Sequence, residues 1–228
     1  MAKESKTASK SQDISTKGAP FTDEFLKQNQ KKIWRIGGVI GILVLLWFAY
    51  LYYERTVNQE AQAEMYSAVY YFEQDSLQKA LYGDGVNYGF LDIADKYSRS
   101  EAGNLARFYA GASFLKRSAY DSALRYLEDY ASDDLLIQAR TYALIGDAYM
   151  ELENYEEASK NYWQAARHKP NEYYSPVYLE KAGVAFENSG DIGAAYRSYK
   201  LLCDEYASHA QHLEHEKQAA RLKAQLKP

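Results

Sequence analysis

A small residue, an aromatic one and a later alanine recur three times along this chain at nearly constant distance, and that recurrence constrains its fold more than any other feature. The clearest copy runs from Ala139 to Pro170 and holds Tyr142-x2-Ile145-Gly146-x2-Tyr149, then Ala158-x3-Tyr162, then Pro170. Thirty-five residues earlier, Gly111, Phe114, Tyr120-Asp121-Ser122-Ala123 and Leu127 stand in the same places. Thirty-seven residues later come Gly183, Phe186, Gly190-Asp191-Ile192-Gly193-Ala194-Ala195 and Tyr199. Repeats of this length are single supersecondary units that cannot bury their apolar faces alone, so the chain has to stack them.

Each recurring residue type has a physical reason. Gly146 and Ala158 are small where two antiparallel helices must approach closely, while Tyr149 and Tyr162 fill the space between neighbouring units. Pro170 ends the second helix because it has no N–H to continue it. Asn154 is placed to cap that helix, and Glu156 and Glu157 face its positive end. The pattern resembles the tetratricopeptide repeat (TPR), W-x2-L-G-x2-Y…A-x3-F…P, with similar-for-similar changes. That resemblance implies an all-α solenoid of helix-turn-helix units over residues 104–138, 139–172 and 176–207.

A second constraint precedes the repeats. From Ile36 to Tyr53 no residue is charged, and with Ile33 and Trp34 the stretch reaches the roughly 30 Å of a bilayer's hydrocarbon. Trp34 at one end and Tyr50, Tyr52 and Tyr53 at the other supply interfacial aromatics. Residues 33–53 are therefore expected to be a transmembrane signal anchor. A cleaved signal peptide would need a small-residue site after the run, where bulky Trp47, Phe48 and tyrosines stand instead. A lipoprotein signal would need a cysteine nearby. Lys27, Lys31, Lys32 and Arg35 cluster at the near edge of the apolar run and only Arg55, beside Glu54, lies just beyond it, which predicts a cytoplasmic N-terminus. Residues 1–32 read as a disordered, basic cytoplasmic tail, with a short amphipathic helix from Phe21 to Lys32.

Between the anchor and the first clear repeat, residues 54–103 read as a degenerate helix pair: helical periodicity from Thr56 to Leu81, a break at Gly83-Asp84-Gly85, and a short helix through Phe90, Ile93, Ala94 and Tyr97. Residues 208–228 read as a capping helix with a thin apolar stripe of Leu213, Ala220, Leu222 and Leu226.

Composition narrows the function. Residues 54–228 hold 19 Lys/Arg against 27 Asp/Glu, a net of −8, which argues against nucleic acid as a partner. His209, His212 and His215 are spaced in threes with Glu205 and Glu216 near, but steps of three drift around a helix, so a solvated polar face is the expectation and no metal is assigned. Cys203, the single cysteine, reads as a small core residue. The glycines at 83, 85 and 89 lack the Gly-Lys-Ser/Thr of a phosphate loop, and Asp133-Asp134 and Glu156-Glu157 sit at helix starts where they complement the dipole. No catalytic constellation, cofactor or small-molecule substrate is expected. The 23 tyrosines suit a protein-binding surface, since their rings are apolar with a polar tip.

In TPR proteins the first helix of each repeat lines a concave groove. The resemblance maps that role onto Leu105, Phe108, Ala112 and Leu115, then Arg140, Ala143, Asp147 and Met150, then Val177, Glu180, Val184 and Glu187. A two-carboxylate clamp for a chaperone's C-terminus is not reproduced, since only Arg140 sits at a comparable place. The layout of basic tail, signal anchor and acidic repeats resembles the YfgM-type ancillary subunits of the bacterial SecYEG translocon. It implies an inner-membrane, non-enzymatic scaffold whose periplasmic repeats link translocon subunits to periplasmic chaperones. An adaptor of another envelope complex (division, wall synthesis or outer-membrane assembly) and an organellar import receptor share the layout.

Overall fold

A computed structural model describes residues 23–208 and 212–226, and among them every regular element is a helix. In chain order these are α1 (Asp23–Glu73), α2 (Leu77–Tyr82), α3 (Phe90–Lys96), α4 (Glu101–Lys116), α5 (Tyr120–Glu128), α6 (Leu135–Glu151), α7 (Tyr155–Arg167), α8 (Ser175–Asn188), α9 (Ile192–Glu205) and α10 (His212–Gln225). The chain divides into two compact units, Met1–Tyr53 and Glu54–Pro228. Of the expected disordered tail, residues 1–22 lie outside the described residues, whereas 23–32 are helical as the start of α1.

In the first unit, α1 carries a segment long and apolar enough to span a membrane. Its large side chains, Trp34 and Ile36 through Tyr53, all stand on the helix surface. No described side chain of the chain covers them, as fits a helix of membrane-spanning length.

The second unit begins with the last turns of α1, which bury Ala61, Met65 and Ala68 against α2 to α5. From α3 onward each helix packs against the next one in the chain. The stacking rests on one turn used four times. Asp75, Ser118, Glu153 and Gly190 all adopt positive φ, at 56°, 58°, 57° and 84°. At each, the amide of that residue donates to the carbonyl three back, and the next amide to the carbonyl five back: Asp75 to Phe72 and Ser76 to Tyr71, Ser118 to Leu115 and Ala119 to Phe114, Glu153 to Met150 and Asn154 to Tyr149, Gly190 to Glu187 and Asp191 to Phe186, all at 2.8 to 3.1 Å. This is the Schellman pattern, which satisfies the orphan carbonyls of the ending helix and reverses the chain. Three of the four positions are not glycine, so the pair of bonds holds a conformation that L residues otherwise avoid.

Seven residues before each turn stand Ala68, Gly111, Gly146 and Gly183, and five residues after it Ala80, Ala123, Ala158 and Ala195. All four alanines of the second set are fully buried. A Cβ on Gly146 would lie 2.7 Å from the Tyr162 ring, one on Gly183 2.7 Å from the Tyr199 ring, and one on Gly111 2.5 Å from Leu127 Cγ. Tyr162 therefore packs first within its own hairpin, over Gly146, and only then meets Ala182 and Ala185 of α8. N-caps follow the sequence: Ser100 accepts from the Gly103 amide, Asp134 from Leu136 and Ile137, Asn154 from Glu157, and Asp191 from Ala194.

Three local expectations are corrected. Helical periodicity continues past Glu73, but the turn at Asp75 ends α1 there, so Thr56 to Leu81 is two helices. The Phe21–Lys32 segment is not a separate helix within the described residues, because α1 runs on from Asp23 into the apolar stretch. In α10 the face on α9 is His215, Ala219 and Leu222, whereas Leu213 is 73% exposed and Ala220 and Leu226 are also exposed. Spacings of four and three keep 215, 219 and 222 on one stripe, from which Leu213 lies more than half a turn away.

Candidate interaction groove

The last turn of α4, the second half of α6 and the face of α8 enclose a groove of about 690 Å³ lined by Leu115, Tyr120, Asp147, Met150, Glu151, Tyr162, Val177, Glu180, Lys181 and Val184. Positions 147, 150 and 151 share one face of α6, and 177, 180, 181 and 184 share one face of α8, as the three-and-four spacing of a helix dictates. Val177 and Val184 leave 39% and 42% of their surface open there.

A polar network crosses the floor. Lys181 Nζ lies 2.7 Å from Asp147 Oδ1, and the Tyr162 hydroxyl donates to the same oxygen at 2.6 Å. The ammonium also sits 5.4 Å from the centre of the Tyr162 ring. Burial, and then the charge of Asp147, push the Tyr162 hydroxyl far above the ordinary tyrosine range, so it stays a proton donor at any physiological pH. At one wall the Tyr120 hydroxyl donates to Glu151 Oε2 at 3.0 Å, and at another Glu180 Oε2 lies 3.7 Å from His215 Nε2. Three carboxylates therefore face one ammonium among the lining side chains.

Of the twelve groove residues expected from sequence, Leu115, Asp147, Met150, Val177, Glu180 and Val184 come together here. The others are placed elsewhere. Phe108 is 7% exposed and packs on Tyr109 and Tyr130, with ring centroids 5.4 and 5.7 Å away. Leu105 packs against the same core, and Ala112 and Ala143 are buried. Glu187 pairs with Arg221 of α10. Arg140 borders a separate depression of about 110 Å³ with Leu136, Ile137, Tyr174 and Tyr178, whose two tyrosine rings stack at 6.4 Å. Tyr120, Glu151, Tyr162 and Lys181 were not among the expected residues, although 151 and 181 lie four residues after the expected positions 147 and 177 and so share their helical faces.

The remaining candidates sort by burial. His215 is 2% exposed and stacks on Tyr199, so the expected solvated face does not hold for it. His209 lies outside the described residues. No three His, Cys, Asp or Glu side chains converge as a metal site among the described residues. Cys203 is half-buried on α9, and burial holds its thiol above the ordinary range, opposite to what an activated thiolate needs.

Stacked helical hairpins that carry an open groove, in a chain that also has a helix of membrane-spanning length, define the class of architecture. Comparison with protein families and with curated proteins finds no match to the chain.

Proposed function

We propose that this protein is a membrane-anchored TPR scaffold that binds other proteins through the groove on α4, α6 and α8. The observation that carries the reading is the fourfold recurrence of one turn with small residues at fixed distance on either side, which agrees with the TPR pattern of Gly146, Tyr149, Ala158 and Tyr162. In such a solenoid the groove falls on the first helices of successive hairpins, and α4, α6 and α8 hold those places. The groove's lining offers apolar contacts and fixed charges, without a nucleophile beside a general base.

The basic residues before the apolar helix support a cytoplasmic N-terminus, with the repeats across the membrane in the periplasm. In that setting the scaffold links the export translocon to periplasmic chaperones, as the layout's likeness to YfgM-type subunits implies. Purification of the full chain from native membranes in mild detergent, with identification of what accompanies it, tests this. Translocon subunits together with periplasmic chaperones are the expected result. Recovery of only division, wall-synthesis or outer-membrane components overturns the translocon link, and digestion of the repeats by protease added to the cytoplasmic side overturns the orientation.

A further inference from the structure

We propose that the groove takes an extended protein segment carrying a lysine or arginine between apolar side chains. This deepens the scaffold reading and rests on it. Charge complementarity carries the inference. Among the lining side chains Asp147, Glu151 and Glu180 face Lys181 alone, and Lys181 is already engaged by Asp147 at 2.7 Å. Asp147 also accepts from Tyr162 at 2.6 Å, so the pair is held within the wall. Glu151, which takes the Tyr120 hydroxyl, and Glu180, which lies 3.7 Å from His215 Nε2, are left to set the field of the groove, and it is negative.

Between these charges the surface is apolar. Val177 and Val184 stand two turns apart on one face of α8, both partly open, with Leu115 and Met150 opposite on α4 and α6. An occupant therefore has to bring both an apolar side chain and a cation, and a folded acidic surface brings neither. The net −8 of residues 54–228 draws cationic segments in and repels acidic ones before contact. Glu180 is partly enclosed and discriminates charge better than the exposed Glu151, since fewer waters screen it.

The test uses the full chain in lipid nanodiscs and three labelled peptides that differ at one residue between leucines: lysine, glutamine or glutamate. The lysine peptide is expected to bind roughly three- to tenfold more tightly than the glutamine one, and about 0.5 M salt is expected to erase the difference. Glu151→Gln with Glu180→Gln, which leaves Tyr120 an acceptor, is expected to erase it too while the melting temperature stays near that of the parent. Equal binding of all three peptides, tighter binding of the glutamate peptide, or a lysine preference that survives the double substitution overturns the proposal. A photoreactive group at Val177 separates the two levels. If it captures a partner in native membranes while the peptides show no lysine preference, the basic segment falls and the scaffold stands. If neither peptide nor partner binds there, both fall.

Discussion

The hairpin of α1 and α2 and the hairpin of α6 and α7 turn with the same two hydrogen bonds, yet fill their interiors by different means. In the second, α7 is 13 residues long and carries Tyr162 back across Gly146, where its hydroxyl meets Asp147 at 2.6 Å. In the first, α2 stops after six residues, so the place that Tyr162 holds in the longer hairpin falls beyond its end, at Asp84. Asp84 takes over there, accepting from the Val86 and Asn87 amides at 2.9 and 2.7 Å, from Asn87 Nδ2 at 2.9 Å and from the Tyr71 hydroxyl at 2.7 Å. The turn and its flanking small residues are thus the constant of this fold. What closes the hairpin depends on how far the second helix runs.

The largest effect is expected where a ring lies on a glycine. Gly146→Ala should lower unfolding stability by about 2 kcal/mol, because the new Cβ falls 2.7 Å from the Tyr162 ring and the core must shift. Ala68→Gly should also cost about 2 kcal/mol but for the opposite reason, the helix-propensity difference together with the loss of a fully buried methyl. Denaturant unfolding of the full chain in detergent measures both, and a Gly146→Ala loss within error would contradict the close approach of the Tyr162 ring to that glycine.

Tyr162→Phe removes a donor to a carboxylate but keeps the ring, and about 1.5 kcal/mol is expected. A loss within error would mean that Lys181 alone satisfies Asp147. Next come the caps. Asn154→Ala should cost about 1 kcal/mol because its side chain accepts from Glu157, whereas Ser76→Ala, whose side chain makes no cap bond, should stay within about 0.5 kcal/mol of the parent. Thermal melts of the two variants give the comparison, and reversal of their order would contradict it.

The smallest effect belongs to pH. The Asn87 amide first, then the Asn87 side chain, the Tyr71 hydroxyl and the Val86 amide, hold the Asp84 carboxyl well below its ordinary value of 3.8. A depressed folded pKa gives stability that is present above 3.8 and is lost as pH falls below it. Protection of the Val86 and Asn87 amides, taken relative to the intrinsic exchange rate at each pH, should therefore hold from neutral pH down to 3.8 and fall below it, and Asp84→Asn should remove that dependence. Protection unchanged below 3.8 in the parent would show that the loop does not rely on this carboxylate.

The repeating hairpins were legible because glycine and alanine have few reasons to recur at 35- and 37-residue intervals other than close helix contact. Asn154 was legible as a cap, and Asp133-Asp134 as the start of a helix, for the same kind of local reason. The first hairpin was not resolved, although Ala68-x2-Tyr71 and Ala80 keep the spacing of Gly146-x2-Tyr149 and Ala158. Its signal is weak since alanine replaces the glycine and the second aromatic is missing. Half of the expected groove was assembled elsewhere for a different reason. Periodicity finds the faces of a helix but not which face its neighbour covers, so Phe108 could not be told from a groove residue until Tyr130 was seen packed on it. His215 went astray likewise, because burial of a polar side chain depends on the α9 surface that receives it.

Exposure and binding come apart most clearly at two valines, and that makes them the most direct test of the groove. Val86, in the loop after the first hairpin, is 92% exposed, while Val184 on α8 is 42% exposed. A photoreactive amino acid is placed at one or the other in the full chain, and crosslinking is carried out in native membranes. Capture of a discrete partner from Val184 and little from Val86 is the expected result. Capture from Val86 with none from Val184 would mean that the partner-binding face lies elsewhere than the groove of α4, α6 and α8.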